Sequence, residues 1–258
     1  MKTPNQLDWP TTLPAKVALT SRPGAGGPVL LVCEHASRAI PAGLARLGIN
    51  EDAAESHIAW DPGALAVAEK LSKALDATLV SQKISRLVYD CNRPPESADA
   101  VRDKSEIYAI PGNAGLTKAQ RAARATYIYH PFRQEVARLV SERPELALVT
   151  IHSFSPVYFG VPREVEIGFL HDSDSRLADA MLDEASNLPT FHAKRNAPYG
   201  PEDGVTHTLL EHAVPRGMQN VMIEVRNDLI SDEIGANKVA QWLGAILISA
   251  LNSLGKEG

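Results

Sequence analysis

Apolar residues in this chain fall into short continuous runs and longer stretches with helical spacing. A short run without polar interruption is typical of a strand buried on both faces of a parallel sheet. Strand-like runs occupy residues 28–33, 78–81, 87–89, 146–151, 165–170 and 221–225. Apolar positions three or four apart predict helices over residues 62–75, 116–143, 176–187 and 232–254. We expect the second helix to be interrupted near His130 and Pro131, because proline lacks the N–H that an interior helical position donates.

The order of these elements, β-α-β-β-α-β-β-α-β-α, predicts an α/β fold. Alternating strands and helices form mixed, mostly parallel sheets with helices on both faces. No linker or repeat divides the 258 residues. We therefore expect a single domain over residues 1–258.

Composition narrows the classes of function. Hydrophobic residues make up 44% of the chain, the net charge is -5, and no basic run suggests a nucleic-acid partner. Met1–Pro14 is polar and lacks the apolar core of a secretory signal. The continuous apolar runs are too short to span a bilayer. Cys33 and Cys91 end apolar segments, so we expect buried thiols, with metal ligation as the alternative.

We expect a cytoplasmic protein that contacts neither membrane nor nucleic acid.

Ionisable side chains follow several predicted strands at their carboxyl ends. In open α/β sheets ligands bind at this edge, where a purely structural protein usually carries small or turn-forming residues. The strand-end groups are Glu34, His35, Asp90, Asn92, Arg93, His152, Ser153, Glu224 and Arg226. Their concentration predicts a catalytic site.

His35 and His152 are the candidate metal ligands. Either alone is as well explained as a structural histidine, but two histidines and a carboxylate form a common catalytic zinc site that leaves a position for water. Glu34 and Asp61 are the candidate carboxylates. Adjacent side chains on a strand point to opposite faces, which favours Asp61 over Glu34. An alternative role for Asp61 is to cap the helix that begins at Pro62.

Glu224 interrupts an apolar strand. A buried carboxylate is costly unless it is paired or functional. It is either an ion-pair partner of Arg226, two residues on, or a general base that accepts a proton from the attacking water.

Asn92, Arg93 and two prolines form a compact polar cluster. Arginine binds a carboxylate with two parallel hydrogen bonds, and the prolines restrict the chain that carries it. With Arg86 nearby, the cluster predicts a pocket for an anionic substrate. The alternative is a turn with a solvated arginine.

Five segments together resemble the N-formylglutamate amidohydrolase family. They cover residues 32–37, 59–63, 85–95, 151–153 and 223–227, and the similarity extends over roughly residues 28–230. The third segment, with Ser-Arg followed by Asp-x-Asn-Arg-Pro-Pro, is the most specific.

This resemblance implies a fold related to zinc carboxypeptidases, a three-layer α/β/α arrangement. It implies one zinc ion, bound by His35, Asp61 and His152. It further implies Glu224 as the general base, a substrate carboxylate bound by Asn92 and Arg93, and support from Arg86 and Arg226. The implied reaction converts N-formylglutamate to formate and glutamate, a step of histidine catabolism. We expect a monomer or small homo-oligomer.

The chain departs from the family pattern at two places. Glu34 stands where the better-known members have proline, and His207 follows Thr206 where they have arginine. Substrate choice could therefore differ, with His207, and secondarily His171, contacting another N-acyl amino acid. The alternatives are a carboxypeptidase-like enzyme or other deacylase, and a non-catalytic binder of acidic small molecules. A serine hydrolase is disfavoured because the chain lacks a Gly-x-Ser-x-Gly elbow.

Overall fold

The central sheet of the protein has seven strands in the order β1-β3-β2-β6-β11-β9-β10. The computed structural model describes residues 16–22 and 24–255, so the expectation for Met1–Pro14 lies outside the described residues. The strands of the central sheet are β1 (Ala18–Ser21), β2 (Val29–Cys33), β3 (Thr78–Gln82), β6 (Ala147–Phe154), β9 (Ile167–Leu170), β10 (Ala193–Arg195) and β11 (Asn220–Arg226). Two hairpins outside it are β4 (Lys104–Ser105) with β5 (Tyr108–Ala109), and β7 (Val157–Tyr158) with β8 (Val161–Pro162).

The sheet is mixed and mostly parallel, as predicted. Strands β3, β2, β6 and β11 are parallel to one another, while β1 is antiparallel to β3. Strand β9 is antiparallel to β11, and β10 is parallel to β9. The carboxyl ends of the four central strands therefore meet at one edge.

Helices cover both faces of the sheet. They are α1 (Glu51–Glu55), α2 (Ala64–Ala74), α3 (Lys118–Arg124), α4 (His130–Glu142), α5 (Arg176–Asn187), α6 (His207–His212) and α7 (Glu233–Leu254). Apolar side chains of α2, α5 and α7 form one core with one face of the sheet. Helix α4 and buried loops form a second core on the other face. The arrangement is the three-layer α/β/α fold that the resemblance implied.

The alternation of side chains along β6 separates these cores. Val149 and Ile151 face the helices α2, α5 and α7, whereas Leu148 faces the opposite core. His152 shares the face of Leu148, because residues two apart on a strand point the same way. Glu224 of β11 lies directly opposite His152 in the parallel register. Both chemical groups thus emerge on the α4 face of the sheet.

The strand predicted at residues 87–89 is wrong. These residues form a turn in which the Val88 N–H donates to the Ser85 carbonyl oxygen (2.9 Å) and the Leu87 N–H to Ser85 Oγ (3.2 Å). Leu87, Val88 and Tyr89 are nevertheless buried in the core. Burial, rather than pairing in the sheet, accounts for their apolar character.

The predicted interruption of the long helix takes the form of a wider turn. Residues Ala125–Tyr129 form one turn of π-helix between α3 and α4. Pro131 is the second residue of α4, directly after this wider turn, which accommodates the missing N–H of the proline within a helical run that continues from α3 into α4.

Helix α7 is, within residues 16–22 and 24–255, long and apolar enough by length and composition to cross a membrane. It packs against α2 and α5, and Val239, Leu243 and Leu247 are fully buried. This packing accounts for its apolar composition.

Candidate active site

His35, Asp61 and His152 converge at the carboxyl edge of the central strands. His35 follows β2, and His152 lies near the end of β6. A backbone hydrogen bond holds Asp61 beside them: the Asp61 N–H donates to the His35 carbonyl oxygen (3.0 Å). Asp61 Oδ2 lies 3.2 Å from His35 Nδ1 and 2.9 Å from His152 Nδ1. The two Nδ1 atoms are 3.2 Å apart.

This triangle of donor atoms has the dimensions of a metal site. Ligand atoms about 2 Å from a tetrahedral zinc ion lie roughly 3.3 Å from one another. Two ring nitrogens and a carboxylate oxygen are also the donor types that zinc prefers in catalytic sites. All three residues are buried. The residues present therefore fit a divalent cation.

The helix-capping role considered for Asp61 is wrong. Helix α2 begins at Ala64, with Gly63 preceding it and no side-chain cap. Gly63 has φ +80°, and a Cβ there would lie 2.5 Å from the Ile230 carbonyl oxygen. Only glycine allows the chain to turn this tightly after Asp61. The turn leaves the carboxylate free to face the two histidines.

The Nε2 atom of each histidine, on the side of the ring away from the donor triangle, faces a second carboxylate. His35 Nε2 lies 2.7 Å from Asp90 Oδ1, and His152 Nε2 lies 3.1 Å from Glu34 Oε2, the latter without the alignment of a full hydrogen bond. A carboxylate here favours the tautomer that carries its proton on Nε2 and presents Nδ1 to a metal. Glu34 is thus on the far side of His152 from Asp61. Asp61 is the carboxylate that completes the donor triangle.

Arg86 forms hydrogen bonds with the carboxylates of both Asp61 and Asp90. Its Nη1 donates to Asp61 Oδ1 (3.2 Å) and its Nη2 to Asp90 Oδ2 (2.7 Å). Burial opposes the charge of Arg86, but Asp90 and Asp61 raise its pKa above the ordinary value. Burial likewise opposes ionisation of Asp90, yet Arg86 and His35 hold the pKa of Asp90 well below its usual range. The cluster is therefore an ionised network with Arg86 as its fixed cation.

Asp90→Asn is expected to weaken metal binding by about 10- to 100-fold, the usual cost of losing a carboxylate behind a metal-binding histidine. The amide is neutral, so it no longer increases the basicity of His35. Titration with zinc against a competing chelator measures the change. Asp99→Asn is the matched control, because Asp99 lines the same pocket but pairs with Arg102. Equal zinc affinity in Asp90→Asn and the unchanged protein would contradict the assignment.

Glu224 has the environment of a general base. Its side chain is buried, and its Oε2 has no hydrogen-bond partner among the described residues. Burial, reinforced by the charge of Asp61 and opposed by His152, raises the pKa of Glu224 to about 7. A carboxyl group with such a pKa exchanges protons readily near neutral pH. The alternative ion pair with Arg226 is wrong, because Arg226 bonds Asp228 instead (2.8 Å).

A pocket of about 360 Å3 opens onto the donor triangle. Arg86, Arg93 and Glu224 line it together with His35, Asp61 and His152. The Arg93 guanidinium is buried, and one of its nitrogens donates to the Asn92 carbonyl oxygen (2.8 Å). The structure thus brings most of the predicted site residues to one cavity.

Asn92 lies in the pocket wall, but its amide is engaged within the protein. Its Nδ2 donates to the Val205 carbonyl oxygen (2.6 Å), and its Oδ1 accepts from the Thr208 N–H (3.0 Å). These bonds fasten the loop that carries Arg93 to the start of α6. Its predicted contact with substrate stays a prediction.

Arg226 and His207 lie outside the main pocket. Arg226, the last residue of β11, is held by Asp228 and donates to the Arg163 carbonyl oxygen (3.2 Å). His207 Nε2 lies 2.8 Å from the Tyr129 hydroxyl oxygen and faces a separate, open cavity. In this structure neither side chain is placed to contact a substrate at the donor triangle.

From the sequence alone, Asp90 and Glu34 stand near strand ends, where Asp90 has no evident role and Glu34 is a candidate metal ligand. The only signal for both was their position beside a metal-binding or arginine motif. Asp90 and His35 are 55 residues apart in the sequence. The pairing of each carboxylate with a particular histidine nitrogen is therefore visible only in the folded chain.

Most of the chain is similar to a known protein family. Residues 27–231 match the model of the N-formylglutamate amidohydrolase family. The chain belongs to this family. Membership supports amide hydrolysis as the reaction of this protein. No match was found among curated proteins.

Two solved structures resemble this amidohydrolase-family chain over most of its length. Gene product Atu2144 from Agrobacterium tumefaciens is 55% identical, with a TM-score of 0.91, and the match covers 93% of this chain and 96% of that one. N-formylglutamate amidohydrolase from Ralstonia eutropha JMP134 is 16% identical, with a TM-score of 0.61, covering 91% and 97%. The second similarity supports the fold alone.

Proposed function

We propose that the protein is a zinc-dependent hydrolase of the amide bond in N-acyl amino acids. N-formylglutamate, cleaved to formate and glutamate, is the substrate that the family description implies. The observation that carries the proposal is the convergence of His35 Nδ1, His152 Nδ1 and Asp61 Oδ2 within 3.2 Å of one another, beside the buried carboxylate of Glu224.

His35, Asp61 and His152 would hold the cation. Bound there, a zinc ion would lower the pKa of a coordinated water and polarise the amide carbonyl. Glu224 accepts the proton of the attacking water and returns it to the leaving nitrogen. Asp90 and Glu34 orient the two imidazoles, and Arg86 keeps Asp61 and Asp90 ionised.

Arg86 is less suited to the oxyanion role that the sequence suggested. Both terminal nitrogens of its guanidinium already donate to Asp61 and Asp90. Its positive charge still lies at the pocket wall, where it favours negative charge on the reacting carbonyl oxygen. We propose that it acts through this charge rather than through a direct bond.

Arg93 binds the carboxylate of the substrate. The buried Arg93 guanidinium lies at the pocket wall and makes one hydrogen bond among the residues that the structure describes, so it is placed to form two parallel bonds with an anion. We further propose that the enzyme acts in the cytoplasm on a small anionic molecule.

Arg93→Lys is expected to raise KM for N-formylglutamate about tenfold or more, with a smaller effect on kcat. Lysine keeps the positive charge but lacks the planar fork that holds a carboxylate. Steady-state kinetics separates the two constants. Arg226→Lys is the control, because Arg226 bonds Asp228 outside the pocket. The assignment fails if Arg226→Lys raises KM and Arg93→Lys does not.

The function itself is tested by incubating the zinc-loaded protein with N-formyl and N-acetyl amino acids and with dipeptides. Formate or acetate release is measured directly, and a chelator should abolish it reversibly. Cleavage of dipeptides alone would indicate a carboxypeptidase-like activity instead. Binding of acidic ligands without any cleavage would indicate a non-catalytic protein.

A further inference from the structure

The pocket has a charged flank and an aromatic flank on opposite sides of the donor triangle. Arg86, Asp90 and Arg93 belong to the segment that follows β3. Tyr199, which follows β10, lines the pocket from the other direction, beyond β11 in the strand order, and Phe154 lines it at the end of β6, two residues after His152. The metal-binding residues that follow β2 or lie in β6 stand between the charged flank and Tyr199.

Tyr199 reaches the pocket by an unusual path of the chain. After β10, the backbone at Ala197 crosses directly over Gly168 of β9. A Cβ at Gly168 would lie 2.0 Å from the Ala197 carbonyl oxygen, so only glycine permits this crossing. Gly168 is the register partner of Glu224. The crossing therefore delivers the Tyr199 ring to the side of the pocket that holds Glu224.

Arg163 fixes the aromatic rings in place. Its guanidinium carbon lies 5.4 Å from the ring centre of Phe154, 4.6 Å from that of Tyr158 and 4.9 Å from that of Tyr199. A cation held against three ring faces stabilises their arrangement. Tyr158 belongs to the β7–β8 hairpin, so the same contacts hold this hairpin at the pocket mouth. Val157, Phe159 and Val161 continue its apolar surface into solvent.

A formyl group is too small to contact much of this aromatic surface. An N-acyl amino acid carries two substituents on its amide, the acyl group and the amino acid. If the amino acid's carboxylate binds Arg93, the acyl group points away from the charged flank. Burying the ring surface that Phe154, Tyr158 and Tyr199 present to the pocket, away from Arg163, then requires an acyl group with apolar surface of its own.

We propose that the aromatic flank, formed by Phe154, Tyr158 and Tyr199, is an acyl subsite, and that the enzyme hydrolyses N-acyl amino acids whose acyl groups are apolar and larger than formyl. This inference rests on the proposed function. In the reaction the oxygen of water bonds to the acyl carbon and the carbon–nitrogen bond breaks. The nitrogen takes up a proton, which releases a free amino acid and an apolar carboxylic acid.

The test compares substrates that differ in the acyl group alone: N-formyl-, N-acetyl-, N-hexanoyl- and N-benzoylglutamate. We expect kcat/KM to be at least about tenfold higher for the hexanoyl or benzoyl compound than for the formyl one. Calorimetry on Glu224→Gln, which binds without turnover, should show the same preference in Kd. Cleavage of N-formylglutamate with no cleavage or binding of the larger compounds would overturn the subsite and leave the proposed function intact. Failure to cleave any of the four would overturn the proposed function itself.

Tyr158→Ala locates the subsite on the hairpin. We expect the ratio of kcat/KM for the larger acyl compound to kcat/KM for the formyl compound to fall about tenfold in this variant. Val157→Ala is the matched control, because Val157 precedes Tyr158 on β7 and is exposed outside the pocket. An equal loss with all four substrates, or the same loss in Val157→Ala, would contradict the assignment.

Discussion

Glu224→Gln is expected to bind zinc as the unchanged protein does and to lose about 10²- to 10⁴-fold in kcat. Glutamine has the same shape, so the wall of the pocket is preserved, but a neutral amide does not accept the proton of the attacking water. KM should change little, because Glu224 is not assigned to substrate binding. Zinc content by elemental analysis and kcat from formate release are measured on the same preparation.

Glu166→Gln is the matched control for this substitution. Glu166 also lies near the end of the sheet, but it pairs with Arg226 (3.5 Å) and is outside the pocket. Its kcat should stay close to that of the unchanged protein. Full turnover by a zinc-loaded Glu224→Gln would remove Glu224 from the role of base.

The pH dependence of the unchanged enzyme follows from the same carboxyl group. Glu224 accepts a proton only when it is ionised, so kcat/KM should fall as the pH drops through its pKa. Burial raises that pKa to about 7 in the protein alone. A bound cation lowers it, because positive charge favours the carboxylate. The acid limb of the profile should therefore lie below pH 7.

The centre of the site could be predicted because it depends on local sequence. His35 lies two residues after the end of β2, and His152 and Glu224 lie within strands whose parallel pairing brings them side by side. A polar residue in an apolar strand is visible without knowing the fold. The carboxyl edge of a parallel sheet then gathers such residues in one place.

Other features depend on contacts between distant segments. Residues 87–89 have the composition of a buried strand, but Ser85 closes a turn there, so burial and sheet pairing could not be told apart from the pattern. His207 was expected at the substrate, yet Tyr129 holds it in a separate cavity. Tyr199 had no sequence signal, because its place depends on the chain crossing over Gly168.

His35→Ala and His152→Ala are each expected to lose bound zinc and, with it, activity. Either substitution leaves two of the three donor atoms, too few for a stable catalytic zinc site. Elemental analysis of folded protein should show a fall from about one ion per chain to near zero. His57→Ala is the control, because His57 lines the same pocket but pairs with Glu106 (2.6 Å).

The two variants should differ in stability, which separates metal loss from misfolding. Burial opposes ionisation of the Glu34 carboxyl group, but His152, whose Nε2 lies 3.1 Å from Glu34 Oε2, holds the pKa of Glu34 below its ordinary value. Without His152, Glu34 is a buried carboxylate that has lost its principal partner, which is strongly destabilising. His35→Ala leaves Asp90 with its bond to Arg86 and should unfold at a higher temperature than His152→Ala. A folded His35→Ala that keeps its zinc would disprove the donor triangle, whatever the stability of His152→Ala.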